Sequence, residues 1–271
     1  MNSDAAHSMF QTPKKYVKSL LGRLLFTTGL YRFWFRQKAV VTCFHRVDDR
    51  LKGDELSCTV EEFRSYLRFF RRYFEVISLP ELLSRLESGQ SVGGCLVITF
   101  DDGYRDNVLN AARELSSEGL SACFFVATGF VETQTVAWWD EALPFRPEWM
   151  SWEEVKALAN AGFDIGAHTV NHIDMGKVDR ETAEEEVRAS RQKLEDELRK
   201  EIDLFAYPYG QPEQMTEDNR CVIIELGMRC CVSAFGGVVW PGDSAFRLRR
   251  QPISVWFQSP YQFGFEVMLS R

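Results

Sequence analysis

The chain of 271 residues lacks any pattern of paired cysteines. Its seven cysteines are an odd number, none lies in a CxxC motif, and most fall inside apolar runs. These features argue against a disulfide framework or a zinc knot, and they predict buried free thiols in a reducing compartment. A Pro/Gly/Ser-rich linker and an internal repeat are also absent. We therefore expect one catalytic domain at residues 39–271, large enough to bury a substantial core, preceded by an extension at residues 1–38.

An excess of basic over acidic residues is absent outside the first forty residues. Residues 1–40 carry seven Lys or Arg side chains against one acid, whereas the remainder has 25 basic and 38 acidic residues. A nucleic-acid-binding protein spreads basic charge over its folded domain. The distribution therefore excludes nucleic acid as the expected partner.

No long uninterrupted apolar run is present either. The stretch "KKYVKSLLGRLLFTTGLYRFWFRQK" is broken by Arg23, Gly29 and Arg32, so it lacks the ~20 apolar residues of a membrane span. It also lacks the small-residue cleavage site of a signal peptide, and we expect a cytoplasmic protein. Two interpretations stay open: a helix packed on its own domain, or an amphipathic helix peripheral to the inner membrane face. The second would turn cations to anionic lipid and these side chains to the acyl boundary: Leu24, Leu25, Phe33 and Trp34.

Short apolar runs alternate with helical patterns. The predicted strands are 39–45, 95–100, 121–128, 163–168, 202–208, 228–234 and 248–255. Helices are predicted at 61–74, from 108 to a stop at Gly119, from the capping box of Ser151 and Glu154 to Gly162, and at about 180–200. This alternation predicts an α/β fold, a closed or nearly closed barrel of about seven parallel strands.

Polar side chains follow several of the predicted strands. His45, the pair Asp101 and Asp102, His168 and Tyr209 each come just after a strand. In parallel barrels the chemistry lies at the carboxyl ends of the strands, so these residues should meet at one rim.

The motif "HTVNH" places His168 and His172 four residues apart. Such a pair can direct two imidazoles at one metal ion, although both could equally cap a strand end. The Glu of the HExxH motif is absent, so a zincin is not supported. A carboxylate from a neighbouring strand would complete a set of two histidines and one acid, with an open position for water or substrate.

The dipeptide Asp101-Asp102 places two like charges together. One of them could serve as the N-cap of the following helix, but that leaves the other unexplained. If one carboxylate binds the metal, the other can stay ionised as a general base. Gly103 then allows the backbone to turn into the helix.

The motifs "TFDDGY", "HTVNH" and "AYPYG", in this order and spacing, resemble the polysaccharide deacetylase family, the NodB-type enzymes of carbohydrate esterase family 4. The similarity extends from about residue 39 to at least 210. It implies a distorted (β/α)7-type barrel and metal-dependent removal of N-acetyl groups from amino sugars. By the same resemblance Asp101 is the catalytic base, Tyr209 offers its backbone N–H to the oxyanion, and the metal is held by Asp102, His168 and His172.

Two positions depart from the family pattern. Ala206 stands where many members have an arginine, and no histidine follows His172 to act as the late general acid. The stretch "VVTCFHRVDD" resembles a subgroup associated with exopolysaccharides that carries this acid on its first strand, which makes His45 the candidate. A half-buried strand-end imidazole is the alternative. Arg247, Arg249 or Arg250 at the last predicted strand could replace the arginine. Arg250 is our candidate, orienting Asp101 and counted with the substrate-binding residues; a surface cation is the alternative.

The aromatic pair Trp138 and Trp139 is a candidate sugar-stacking wall, with Trp149 and Trp152 beside it, although tryptophans at this density also form cores. The predicted substrate is an amino sugar of a polysaccharide or of a lipid-linked glycan precursor. A deformylase of a lipid-linked amino sugar and an inactive glycan-binding protein are the alternatives. Zinc suits two histidines and an aspartate, but cobalt, nickel, iron and manganese accept the same ligands.

Overall fold

The computed structural model describes residues 4–270, with side chains from residue 13 onward. Within this range the strands are β1 (Val40–Phe44), β2 (Arg46–Val47), β3 (Ser57–Cys58), β4 (Glu75–Val76), β5 (Cys95–Phe100), β6 (Cys123–Val126), β7 (Asp164–Ala167), β8 (Leu204–Ala206), β9 (Cys230–Val232) and β10 (Gln251–Pro252). The α-helices are α1 (Asp4–Thr28), α2 (Tyr31–Phe35), α3 (Val60–Tyr73), α4 (Leu79–Ser88), α5 (Ala112–Glu118), α6 (Trp152–Asn160), α7 (Arg180–Leu198), α8 (Glu217–Glu225) and α9 (Pro260–Leu269).

The main sheet is parallel and strongly curled. Its strands follow the order β10-β1-β5-β6-β7-β8-β9, and β4 pairs with the beginning of β5. A parallel bridge between Val232 and Leu248 links β9 to the segment that leads into β10, which brings the two edges of the sheet together. The fold is therefore the distorted (β/α)7-type barrel predicted from the sequence. The strands β2 and β3 form a separate small sheet beside β1.

The central strands of the barrel are buried on both faces, which explains why their sequences do not alternate between apolar and polar residues. All six residues of β5 and all five of β1 are buried. Inside the barrel, Val41 and Val97 belong to the same apolar cluster as Leu79, Leu82 and Leu83 of α4. Helix α4, which the sequence analysis missed, therefore packs against the interior side chains of the strands.

The predicted helix boundaries are close to the observed ones because capping residues set them. Glu62 and Thr59 form a capping box that opens α3, and Ser151 with Glu154 opens α6 as predicted. Gly119 ends α5 in the left-handed conformation. The helix before it starts as a π-helical turn at Asn107–Ala111, and its start is capped by neither Asp101 nor Asp102.

Several expected elements differ from the observed ones. The predicted strand 248–255 is reduced to β10, since residue 248 bridges to β9 instead and the chain turns away after Pro252. Helices α8 and α9 and the two-residue strands β2, β3 and β4 were not predicted. All seven cysteines are free and six of them are buried, as the sequence analysis predicted.

Helix α1 packs along α9. Gly22 allows the close approach, because a Cβ at this position would lie 2.0 Å from the carbonyl oxygen of Tyr261. Ser19 hydrogen-bonds Ser259, and Phe26 is buried in the aromatic cluster between α3 and α9. One face of α1 thus packs on the chain's own domain, the first of the two interpretations above, while the opposite face stays exposed. None of the described helices combines the length and hydropathy that crossing a membrane requires.

Candidate active site

Three acceptor groups converge just beyond the ends of β5 and β7. Oδ1 of Asp102 lies 3.3 Å from Nε2 of His168 and 3.3 Å from Nε2 of His172. All three side chains are buried. Burial alone raises the pKa of Asp102, but the two imidazoles outweigh it and hold that pKa well below its ordinary value. The carboxylate is therefore ionised.

The orientation of His168 suits a metal ligand. Its Nδ1 lies 2.8 Å from the carbonyl oxygen of Ala206 and donates to it, which turns Nε2 toward Asp102. Ala206, where the resemblance leads one to expect an arginine, thus supplies its backbone oxygen to the predicted metal ligand His168.

The donor set fits a small divalent cation. Oδ1 of Asp102 is buried without a hydrogen-bond partner among the described residues, as is Nδ1 of His172. When both imidazoles are neutral with their proton on Nδ1, their Nε2 lone pairs face the carboxylate, and a cation between these three atoms would stabilise the arrangement. For a tetrahedral ion with bonds of about 2.0 Å, ligand atoms lie about 3.3 Å apart, which matches both contacts.

The backbone around the site adopts left-handed conformations that residues other than glycine rarely show. Asp102, Thr169, His172 and Tyr209 all have φ between 52° and 76°. Gly103 continues the turn after Asp102 at φ 94°. Such residues cost of order 1–3 kcal/mol each and concentrate at functional sites. The turns aim consecutive side chains in different directions, so Asp101 and Asp102 have different partners.

Asp101 is held by a buried arginine. Nη1 and Nη2 of Arg250 donate to its two carboxylate oxygens at 2.7 and 2.6 Å. Burial by itself raises the pKa of Asp101, but the guanidinium of Arg250 and the imidazole of His168 lower it below its usual value. Arg250 is fully buried, so its assignment as a substrate-binding side chain is corrected: it positions Asp101.

Three residues that no sequence motif marked support this pair. Sγ of Cys43 donates to Asp101 at 3.3 Å, and Nη1 of Arg250 donates to Oγ1 of Thr99 at 2.9 Å. The Nε of Arg250 donates to the carbonyl oxygen of Ser233. The two-residue period of a strand could have placed Thr99 on the face of Asp101, but the sequence gives no signal for Ser233.

His45 lies beside Asp101, directly after β1. A ring nitrogen of His45, Sγ of Cys43 and a carboxylate oxygen of Asp101 lie within 4.8 Å of one another. Burial lowers the pKa of His45, while the carboxylates of Asp102 and Asp101 oppose this change. The structure therefore places His45 beside Asp101, the predicted base, and the role of His45 as the acid stays a prediction.

Tyr209 reaches the same site from the end of β8. Its ring centroid lies 5.0 Å from that of His172. Gly210, at φ 52°, completes the turn, and a Cβ there would lie 2.3 Å from the amide nitrogen of Ala234. The amide of Tyr209 donates no hydrogen bond to any described residue, so it is available to a ligand.

The two candidate stacking tryptophans lie at the rim. Trp138 is 65% exposed and its Nε1 donates to the hydroxyl of Tyr209 at 3.2 Å. The ring of Trp139 lies 4.5 Å from that of His172. Trp149 and Trp152, by contrast, are buried, so they do not belong to an exposed wall.

A buried ion pair anchors this aromatic segment. Trp138–Asp140 forms a short 3-10 helix, and the carboxylate of Asp140 pairs with Arg46 just after β1. The hydroxyl of Tyr104 donates to Asp140 at 2.7 Å and accepts from Nε1 of Trp139 at 2.8 Å. The sequence analysis did not find this network, which joins residues 94 positions apart.

Comparison with known proteins was consistent with this geometry. The family model for polysaccharide deacetylases matches residues 88–231, more than half of the chain. YxkH of Bacillus subtilis (strain 168), whose name places it with the polysaccharide deacetylases, is 20% identical over 181 residues. These residues are 66% of this chain and 59% of YxkH, so the chain matches less than two thirds of that relative.

Two solved structures have a similar fold. The deacetylase PplD of Streptococcus pyogenes, in complex with acetate, superimposes with a TM-score of 0.72 at 19% identity, over 85% of this chain and 98% of PplD. IcaB of Ammonifex degensii superimposes with a TM-score of 0.72 at 22% identity, over 86% of this chain and 97% of IcaB. At these identities the likeness establishes the fold alone.

Proposed function

The chain belongs to the polysaccharide deacetylase family, and on that basis we propose that it is a metal-dependent hydrolase that removes N-acetyl groups from amino sugars of a polysaccharide or a lipid-linked glycan precursor. The observation that carries the proposal is that two adjacent carboxylates have different partners. Asp102 faces two imidazoles, whereas Asp101 faces a guanidinium.

Asp102, His168 and His172 would hold the metal. The ligand set suits zinc, and cobalt, nickel, iron or manganese would also fit. When bound, such an ion supplies Lewis-acid polarisation of the acyl carbonyl and lowers the pKa of water. Three protein ligands leave positions open for water and substrate.

Asp101 would act as the general base. Arg250 keeps its carboxylate ionised and fixes its plane through two parallel hydrogen bonds, so a lone pair keeps one direction. Asp101 accepts the proton of the attacking water. A binding protein would need the metal ligands but no such oriented carboxylate, so this pair favours catalysis over glycan binding alone.

His45 would protonate the leaving amine. Because burial lowers its pKa, its imidazolium gives up a proton more readily than an exposed one. On another side of the site, the unpaired amide of Tyr209 would donate to the developing oxyanion. The exposed ring of Trp138 would stack on the sugar.

The test measures metal content together with acetate release from N-acetylglucosamine oligomers and from a lipid-linked N-acetyl sugar. Formate release from the N-formyl analogue distinguishes a deformylase. We expect Asp101→Asn to keep the metal and lose about 10²–10⁴-fold in rate, the usual contribution of a general base.

Asp164→Asn is the matched control, since Asp164 lies at the opposite end of a barrel strand and its burial raises its pKa to about 6. This variant should keep the wild-type rate. Absence of acyl release from every substrate by the metal-loaded protein would refute the proposal, and so would full activity of the Asp101→Asn variant.

A further inference from the structure

Helix α1 has an exposed apolar face that no described part of the chain covers. We call it the outer face of α1, and its residues are Tyr16, Val17, Leu20, Leu21 and Leu24. Leu20 is 67% exposed and Leu24 is 58% exposed. At about 100° per residue, these five positions span an arc of about 140°. Gly22 and Phe26 lie on the other side of the helix, against α9.

Cations lie along both borders of the outer face. The same helical spacing places Lys14 just beyond one border and Arg23 just beyond the other, and both are exposed. Asp4 is the only acid in residues 1–40. The outer face is therefore apolar at its centre and positive at its borders.

Helix α2 continues this surface. Leu30, Phe33 and Trp34 are exposed, and the guanidinium of Arg36 lies 4.7 Å from the ring of Phe33. Beside α2 lies a cavity of about 400 Å³ lined by three arginines and no carboxylate among the described residues: Arg32, Arg36 and Arg72. Such a cavity is suited to anionic groups at the edge of the apolar surface.

We propose that the outer face of α1, together with α2, docks on an anionic membrane surface. Leucines and aromatic residues would enter the boundary between head groups and acyl chains, and the bordering cations would contact lipid phosphates. A second copy of the chain fits less well, because a twofold contact through this face would bring the two sets of cations together.

The docking would place the catalytic rim beside the lipid head groups. The middle of α1 contacts the segment that follows β10 at the rim: Nζ of Lys15 lies 4.1 Å from the ring of Trp256. The far end of α1 leads to α2 and the beginning of β1. The barrel would lie on its side, with one edge of its mouth next to the lipid head groups. Given the proposed deacetylase function, this orientation favours a lipid-linked amino sugar as substrate.

The test is flotation of the full chain with phosphatidylcholine vesicles and with vesicles that also contain phosphatidylglycerol. We expect flotation with the anionic vesicles only and weaker flotation at high salt, because salt screens the lipid charges. The double variant Leu20→Glu/Leu24→Glu should partition at least about tenfold less, since it loses two buried leucines and adds two repelled charges.

Leu109→Glu/Ile224→Glu is the matched control, because it introduces the same two negative charges at exposed apolar residues outside this surface. The control should float like the wild type. Both variants should keep the circular dichroism spectrum and the rate on a soluble substrate, which separates this proposal from the proposed reaction.

The proposal is overturned by either of two results: wild-type protein that stays unbound with anionic vesicles, or equal flotation of the two double variants. Light scattering tests whether a second copy of the chain covers the outer face instead of a membrane. The outer face would be assigned to a second copy instead if the wild type is a dimer, the Leu20→Glu/Leu24→Glu variant is a monomer, and the two float equally.

Discussion

At the residue scale, Asp101 and Asp102 show how two like charges are accommodated in adjacent buried positions. The extended end of β5 points Asp101 at Arg250, while the left-handed turn at Asp102 points the next carboxylate at His168 and His172. Each carboxylate therefore faces its own groups, a guanidinium for Asp101 and two imidazoles for Asp102. The cost of burying an ionised carboxylate is offset only by such specific partners.

The geometry of the Arg250–Asp101 pair leads to a first prediction. Arg250→Lys keeps the positive charge but cannot make two parallel hydrogen bonds, so Asp101 loses its fixed orientation. We expect kcat to fall about 10–100-fold, with KM and metal content close to wild type, as measured by steady-state kinetics and elemental analysis. An unchanged kcat would remove Arg250 from the catalytic machinery.

Removal of the charge should instead affect the fold. Arg250→Met leaves Asp101 buried and unpaired, which costs about 3–5 kcal/mol in the free energy of unfolding. Denaturant titration of the two variants separates the orienting role of Arg250 from its structural role.

Asp106 provides a pH-dependent prediction away from the proposed metal ligands. Burial raises its pKa to about 6, although the amide of Val47 and the side chain of Asn107 donate to it. In the unfolded chain its pKa is about 3.9. The folded state therefore holds this proton more tightly, and Asp106 lowers stability as the pH rises from about 4 through 6.

The variant Asp106→Asn removes this ionisation and keeps an oxygen acceptor. Relative to wild type, its free energy of unfolding should increase between pH 4 and pH 7 by up to about 3 kcal/mol. Urea titrations at both pH values measure this difference. A difference that does not change with pH would contradict the assignment.

At the element scale, the two faces of helix α1 have different requirements. Its inner face requires a glycine at position 22, where the backbone of Tyr261 leaves no space for a Cβ, and its outer face exposes leucines. A glycine inside a helix is otherwise unfavourable by about 1 kcal/mol relative to alanine. Its presence is therefore explained by packing against α9.

Gly22→Ala tests this explanation by the sign of its effect. Helix propensity alone predicts stabilisation, whereas the clash with Tyr261 predicts destabilisation of about 1–3 kcal/mol. We expect the thermal midpoint to fall. Thr27→Ala, on the exposed side of the same helix, should stay within about 0.5 kcal/mol of wild type. A raised midpoint for Gly22→Ala would show that α1 does not pack as described.

At the scale of the whole molecule, the proposed metal would join strands that are far apart in the chain. Asp102 follows β5, whereas His168 and His172 follow β7, and β6 lies between them in the sheet. A ligand that binds only the folded state stabilises it in proportion to the logarithm of its concentration over Kd. The ion should therefore stabilise the barrel as well as serve the reaction.

Chelation measures this contribution. Removal of a metal present at about a hundredfold excess over its Kd should lower the free energy of unfolding by about 2.7 kcal/mol. The thermal midpoint should therefore fall by several degrees. Zinc should restore the midpoint. In Asp102→Ala the chelator should have no effect, and a chelator effect equal to that of wild type would place the metal elsewhere.

Much of the fold and the proposed ligand set follows from the sequence by itself. The buried runs of β1 and β5, the helix caps of α3 and α6 and the motifs "TFDDGY" and "HTVNH" all lie within short segments. Burial, helical periodicity and capping are local properties, so they are visible without tertiary structure. The sequence therefore determined the strand–helix alternation and the residues that meet at the rim.

Only the tertiary structure decided which distant residues support them. The bond between Arg250 and Asp101 joins positions 149 residues apart, and it exists because the closing segment of the barrel comes next to β1 and β5. The packing of α1 on α9 joins the two ends of the chain, and the pair Arg46–Asp140 depends on a loop conformation. These contacts arise from strand order and barrel closure, which no local sequence pattern encodes.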